Sequence, residues 1–97
     1  MTRRRYLLMY DVSEGKRLRR MREVATAFGY PLQYSVFVCD LDAQELVRLR
    51  WAISDEINHD LDSVAIVDLG EVNRVGVRNF SFIGRRPSLP PGGATVV

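Results

Sequence analysis

A chain of 97 residues that is 46% hydrophobic and 27% charged is long enough for one packed core, too short for two, and too apolar to stay disordered. Its lone cysteine, Cys39, excludes a disulfide framework or a cysteine-based zinc cluster within one chain and suits a reducing compartment. The formal charge of +2 conceals a partition: eight Lys or Arg against three acids through Tyr30, two against seven from Pro31 to Asp62, and four against two beyond.

Arg3, Arg4 and Arg5 precede a short apolar run, Tyr6 to Tyr10, which is too brief for a signal peptide or a membrane span and leads us to expect a cytoplasmic protein. The run suits a strand, and because Tyr6/Leu8/Tyr10 and Leu7/Met9 are both apolar, both its faces are expected to be covered. Ser13 is placed to cap a first helix whose apolar positions Leu18, Met21, Val24, Ala25 and Phe28 recur at helical spacing, with Gly29 as its stop. Lys16, Arg17, Arg19, Arg20 and Arg22 occupy its other faces.

Leu32 to Leu41 reads as strand again, with Pro31 limiting where it begins and a kink or tight turn near Gln33 to Ser35 making it either two strands or one bent strand. Asp42 and Glu45 have the spacing of a capping box, and Leu46, Leu49, Ile53 and Ile57 then mark the inner face of a second helix, whose outer face is expected to be acidic. Ser63 to Gly70 is a further strand, and a loop through Asn73 and Gly76 leads to a last short one at Phe80–Ile83. The domain is expected to span residues 1–84, followed by a mobile Pro/Gly-rich tail over 85–97.

The order strand, helix, two strands or one bent strand, helix, strand is that of an α+β ferredoxin-like βαββαβ fold: an antiparallel sheet with both helices on one face, here with an extra C-terminal strand. Such a sheet leaves its second face bare, and burial of that face against a twin predicts a homodimer.

Thirteen of the fourteen basic residues are Arg, whose planar fork grips phosphate at two points, so a polyanionic partner is expected; solvated helix surface is the plain alternative. Asp11 ends the first strand, where an acid must be solvated or paired. One carboxylate makes a poor Mg²⁺ site, but a two-fold axis would supply a second Asp11, and such a pair suits Mg²⁺ or Mn²⁺ against a phosphodiester; an ordinary turn acid bonded to the backbone of the first helix is the plain alternative and, on the residue alone, the favoured one. Arg17 and Arg20 share one helix face and Arg19 and Arg22 another, so not all of them reach one strand of nucleic acid. Tyr10, Tyr34 and Phe37 are expected to pack rather than stack on bases, Ser35 is a candidate hydroxyl donor to phosphate, and His59 a surface residue.

In order, these segments resemble the Cas-two family of CRISPR-associated proteins: Tyr10-Asp11-Val12-Ser13, Lys16-Arg17-Leu18-Arg19-Arg20, Gln33-Tyr34-Ser35-Val36-Phe37 with Cys39-Asp40-Leu41, and Asp62-Ser63-Val64. The resemblance implies a homodimer that joins the CRISPR integrase and holds double-stranded DNA for spacer acquisition. It also implies a metal-dependent endonuclease acting on single-stranded RNA or double-stranded DNA, with Mg²⁺ or Mn²⁺ at Asp11 and with Tyr10, Arg17, Arg20, Ser35 and Phe37 around it; Arg17, Arg20 and Arg19 are the candidate nucleic-acid contacts. A second reading stays open: a ferredoxin-like dimeric binding module with neither nuclease activity nor a nucleic-acid partner, its arginines serving solubility.

Overall fold

A computed structural model of the chain describes residues 2–74 and 80–88. The elements run β1 (Arg4–Asp11), α1 (Gly15–Phe28), β2 (Tyr30–Gln33), β3 (Val36–Leu41), α2 (Ala43–Glu56) and β4 (Ser63–Glu71). They form a four-stranded antiparallel sheet in the order β2-β3-β1-β4, the expected ferredoxin-like arrangement. Central β1 pairs Leu7 with Val38 on one side and with Val67 on the other, so each strand's alternate residues share a face.

Tyr6, Leu8 and Tyr10 of β1 and Phe37, Cys39 and Leu41 of β3 meet Met21 and Ala25 of α1 and Leu49 and Ile53 of α2 in one core. Both helices therefore close the same sheet face. Gly29 ends α1 with its N–H donating to the Ala25 carbonyl (2.9 Å), and it does so against β3. A Cβ at this position would stand 2.6 Å from the Val38 carbonyl oxygen and 2.5 Å from Cys39 Sγ, so no larger residue fits.

The first helix cap differs from expectation: the Glu14 carboxylate, not Ser13, accepts the N–H groups of Lys16 and Arg17 (3.0 Å each). Glu14 stands next to the first helical residue, and its longer side chain folds back onto the exposed donors there. At α2 the capping box is complete, with Glu45 N–H donating to Asp42 (2.8 Å) and Asp42 N–H to Glu45 (3.0 Å).

The outer face of α2 is not acidic. Glu45 is turned to the cap and to Arg3 (2.6 Å) and Glu56 toward Arg20, leaving Arg48, Arg50 and Asp55 exposed with Val47 and Trp51. Of the seven acids in this stretch, Asp42 and Glu45 form the α2 cap, Asp60 and Asp62 lie in the loop before β4, and Asp40 and Glu56 face arginines.

The second sheet face is not bare either. Val38 and Arg5 are fully buried within the single chain, with Leu7, Met9 and Val36 half-buried around them. Arg5 lies opposite Asp40 across the β1–β3 ladder and grips it through Nε (2.7 Å) and Nη2 (2.8 Å), the pairing that a buried guanidinium requires. The flanks of this face are exposed, at Ala65 and Val67 on β4 and at Tyr30 on β2. β4 carries a bulge: Arg5 faces Gly70 and Tyr6 faces Asp68, so Leu69 is left over, and Gly70 takes φ +112° to accommodate it.

The fold accommodates an added C-terminal strand. In the isolated chain, however, the segment expected to form it, Phe80–Ile83, has no ladder partner among the described residues, and its Ser81–Ile83 part passes alongside the end of β2 and the turn at Tyr34. The loop around Gly76 and the tail from residue 89 lie outside the described residues.

Candidate nucleic-acid site

The end of β1 is built from four directions. Asp11 is its last residue, exposed, and among the described residues its carboxylate has no hydrogen-bond or ion-pair partner. On the β4 side it lies opposite Ser63. On the β3 side the Tyr10 N–H donates to the Ser35 carbonyl (3.1 Å), which carries the Tyr34–Ser35 turn up against the same strand end. Past Asp11 the chain crosses Val12, which is buried, and enters α1 at the Glu14 cap. Asp11 is thus fixed by its backbone on the central strand while its side chain stands in solvent.

The α1 arginines diverge. Arg17 turns to Asp62, with Nε at 2.8 Å and Nη2 at 3.2 Å from its carboxylate, and Glu14 stands 3.7 Å away. The Asp62 side chain has no exposed surface and also accepts the Asn58 N–H (2.7 Å). The Arg17 guanidinium first, and that N–H second, hold the Asp62 carboxyl below the usual carboxylate range. Arg17 therefore ties α1 to the loop that feeds β4. Arg20 reaches across to Glu56 at 4.0 Å and stays mostly exposed, while Arg19 is exposed on the outer side of α1 beside Arg22 and Glu23. A helix turning about 100° per residue cannot aim all four at one point.

Arg22 has the most defined environment of these arginines. Its guanidinium carbon lies 5.3 Å from the centre of the Tyr34 ring and 5.5 Å from that of Phe37, and Nη1 donates to the Tyr34 carbonyl at 2.6 Å. Tyr10 stacks on Phe37 (6.2 Å between centroids), and its hydroxyl donates to the Tyr34 carbonyl at 3.5 Å. Burial pushes the Tyr10 phenol up, and Arg22 opposes that shift.

Tyr10 and Phe37 are core residues, as expected, whereas Tyr34, expected to pack, is 68% exposed. Ser35 is half-buried in the turn, and His59 is exposed with Nε2 against the Ser54 carbonyl (3.0 Å). The sequence reading missed two residues: Asp62, whose partner lies 45 positions away, and Arg22 as the holder of Tyr34. Only Asp62 left a signal, through its place before Ser63-Val64.

The donor set admits a divalent cation in part. Among the described residues no three His, Cys, Asp or Glu side chains gather as a metal-binding group, and at the end of β1 the Asp11 carboxylate is the candidate ligand. Mg²⁺ takes about six oxygens, commonly one or two from carboxylates and the rest from water and phosphate. Asp11 would supply one such carboxylate from this chain. Among the described residues no helix is long and apolar enough to cross a membrane.

The family model for CRISPR associated protein Cas2 matches residues 4–75. The CRISPR-associated endoribonuclease Cas2 of Geobacter sulfurreducens is 39% identical over 80 residues, which cover 82% of this chain and 83% of that protein. The CRISPR-associated endonuclease Cas2 of Halalkalibacterium halodurans is 32% identical over 88 residues, covering 86% and 88%. Among solved structures, Streptococcus pyogenes Cas2 at pH 6.5 superposes with a TM-score of 0.72 at 28% identity, over 82% of this chain and 99% of that one. A hypothetical protein of Thermus thermophilus, TT1823, gives 0.68 at 27% identity, over 69% and 82%.

Proposed function

The chain belongs to the CRISPR associated protein Cas2 family, and from that premise we propose that it is a homodimeric, nucleic-acid-binding subunit of the spacer-acquisition machinery, able to hydrolyse phosphodiesters at Asp11. The observation that carries this reading is the exposed, unpartnered Asp11 carboxylate on the end of the central strand, in a chain whose curated relatives are named as endonucleases and endoribonucleases. In a cytoplasmic complex with the CRISPR integrase, the arginine-rich first third of the chain faces double-stranded DNA; the same acid serves cleavage of DNA or single-stranded RNA.

Each group has a limited task. The two Asp11 carboxylates of a dimer, with phosphate oxygens and water, would hold Mg²⁺ or Mn²⁺. When bound, such an ion polarises a phosphoryl oxygen and makes a nucleophile of its water. Arg19 and Arg20, exposed on α1 together with Lys16, neutralise backbone phosphates. Arg17 acts through Asp62, fixing the α1 N-terminus beside the β1 end. The Ser35 hydroxyl is available to donate to a phosphate oxygen, and Tyr10 and Phe37 keep the strand end and turn in place.

Asp11→Ala tests the chemistry. Its Mg²⁺-dependent cleavage of single-stranded RNA and of duplex DNA should fall by about 100-fold or more, while duplex binding measured in EDTA persists. Undiminished cleavage by the purified variant would remove Asp11 from the reaction. For wild-type protein the log–log salt slope of duplex binding should be roughly −0.9 per phosphate neutralised. A flat salt response would favour the binding module without nucleic acid.

A further inference from the structure

Tyr34 is the one aromatic side chain of the β1-end cluster that the core does not use, and it lines a hollow of about 340 Å³ between the end of β2 and the segment Ser81–Pro87. Gln33, Ser81, Phe82 and Arg85 line the same hollow, and Ile83, fully exposed, stands at it too. Its volume lies at the lower end of the range of small-ligand pockets, roughly 300 to 1,000 Å³. We propose that this hollow receives a single unpaired nucleotide of a nucleic-acid strand, its base stacked on Tyr34 and its phosphate met by Arg85.

Four observations converge on that ligand. The lining couples aromatic rings with a guanidinium, the pair of groups that holds single strands through base stacking and backbone charge. Gln33 and Ser81 add an amide and a hydroxyl able to donate to and accept from a base edge. Arg22 does not line the hollow, yet it holds Tyr34 by its ring and by the carbonyl of its turn, so stacking on that ring requires little new ordering. The turn is also joined to the catalytic strand end, because Ser35 accepts the N–H of Tyr10, the residue before Asp11. A base inside a duplex hides both its faces in the stack, so only a single-stranded or splayed segment can present one here. The hollow thus selects strand state close to the candidate phosphodiester site, and it rests on the nucleic-acid reading proposed above.

The test compares binding of a single-stranded oligonucleotide and a blunt duplex of equal length by full-length wild-type protein and variants. The single strand carries 2-aminopurine, whose fluorescence falls on stacking. Wild type should quench the probe. Tyr34→Ala should abolish the quenching and weaken single-strand binding roughly 5- to 100-fold. Tyr34→Phe should retain both within about threefold, and Arg85→Ala should lower the single-strand salt slope by about 0.7. Duplex affinity should stay within twofold in every variant, which also reports that the variants are folded. Single-strand affinity and quenching unchanged in Tyr34→Ala would overturn the proposal, as would a parallel loss on strand and duplex. A wild-type protein that binds duplex but leaves the probe unquenched refutes the hollow alone; one that binds neither refutes the nucleic-acid reading, and the hollow with it.

Discussion

Gly29 and Cys39 meet where α1 ends on β3, and the contact dictates both residues. A methyl group on Gly29 would overlap the Val38 carbonyl, which belongs to a strand in the middle of the ladder and cannot yield. Gly29→Ala should therefore destabilise the protein by about 1–3 kcal/mol, read from urea unfolding. The Cys39 thiol is fully buried, and burial, aided by the charge of Asp40, pushes it up to about 12. It should react with a thiol reagent at neutral pH only as fast as the protein unfolds. Asp11 and Cys39 were both visible in the sequence, yet only the acid announced its setting, because an apolar run followed by a carboxylate marks a strand end. What Gly29 avoids is set by a strand ten residues on, and neighbouring residues carry no trace of it.

Among the elements, α2 was the most legible, since its cap and apolar spacing are local and were both present as read. Asp42→Ala removes the acceptor for the Glu45 N–H and should cost about 1 kcal/mol. The α1 cap was assigned one residue early because Ser is the commoner capping side chain, and the competing carboxylate stood next to it. The directions of the α1 arginines were legible only as two faces; which acid each meets depends on how α1 lies against α2 and the loop before β4. Arg17–Asp62 gives that packing a pH dependence. The folded Asp62 carboxyl sits below its unfolded value near 4, so its contribution is complete above that value and is lost as pH falls through the lower, folded one. Thermal midpoints should hold steady above about pH 5 and fall below 4, and Asp62→Asn should fall less steeply over that acid range.

At the scale of the molecule, strand order and layer arrangement followed from the succession of periodicities, whereas the second sheet face did not. An apolar run on both sides of β1 shows that both sides are covered, but not by what, and a buried Arg5 among apolar neighbours is hard to anticipate without seeing Asp40 opposite it. Asp40→Ala would deprive that guanidinium of its carboxylate and should cost about 3–5 kcal/mol, a large share of a small domain's stability.

The sheet also ends, on one side, at β4. Its nine residues include the run Val64-Ala65-Ile66-Val67, and among the described residues nothing pairs with its outer edge. Such a ribbon invites uncontrolled stacking of molecules into insoluble fibrils, and the offset at Leu69–Gly70, preceded on the same strand by the charge of Asp68 held to Arg4, limits how far a stray strand can zip along it. Replacing Asp68 with valine should shorten the lag before concentrated protein turns turbid and stains with an amyloid dye. The kink in β4 is then a safeguard against the molecule's own exposed margin.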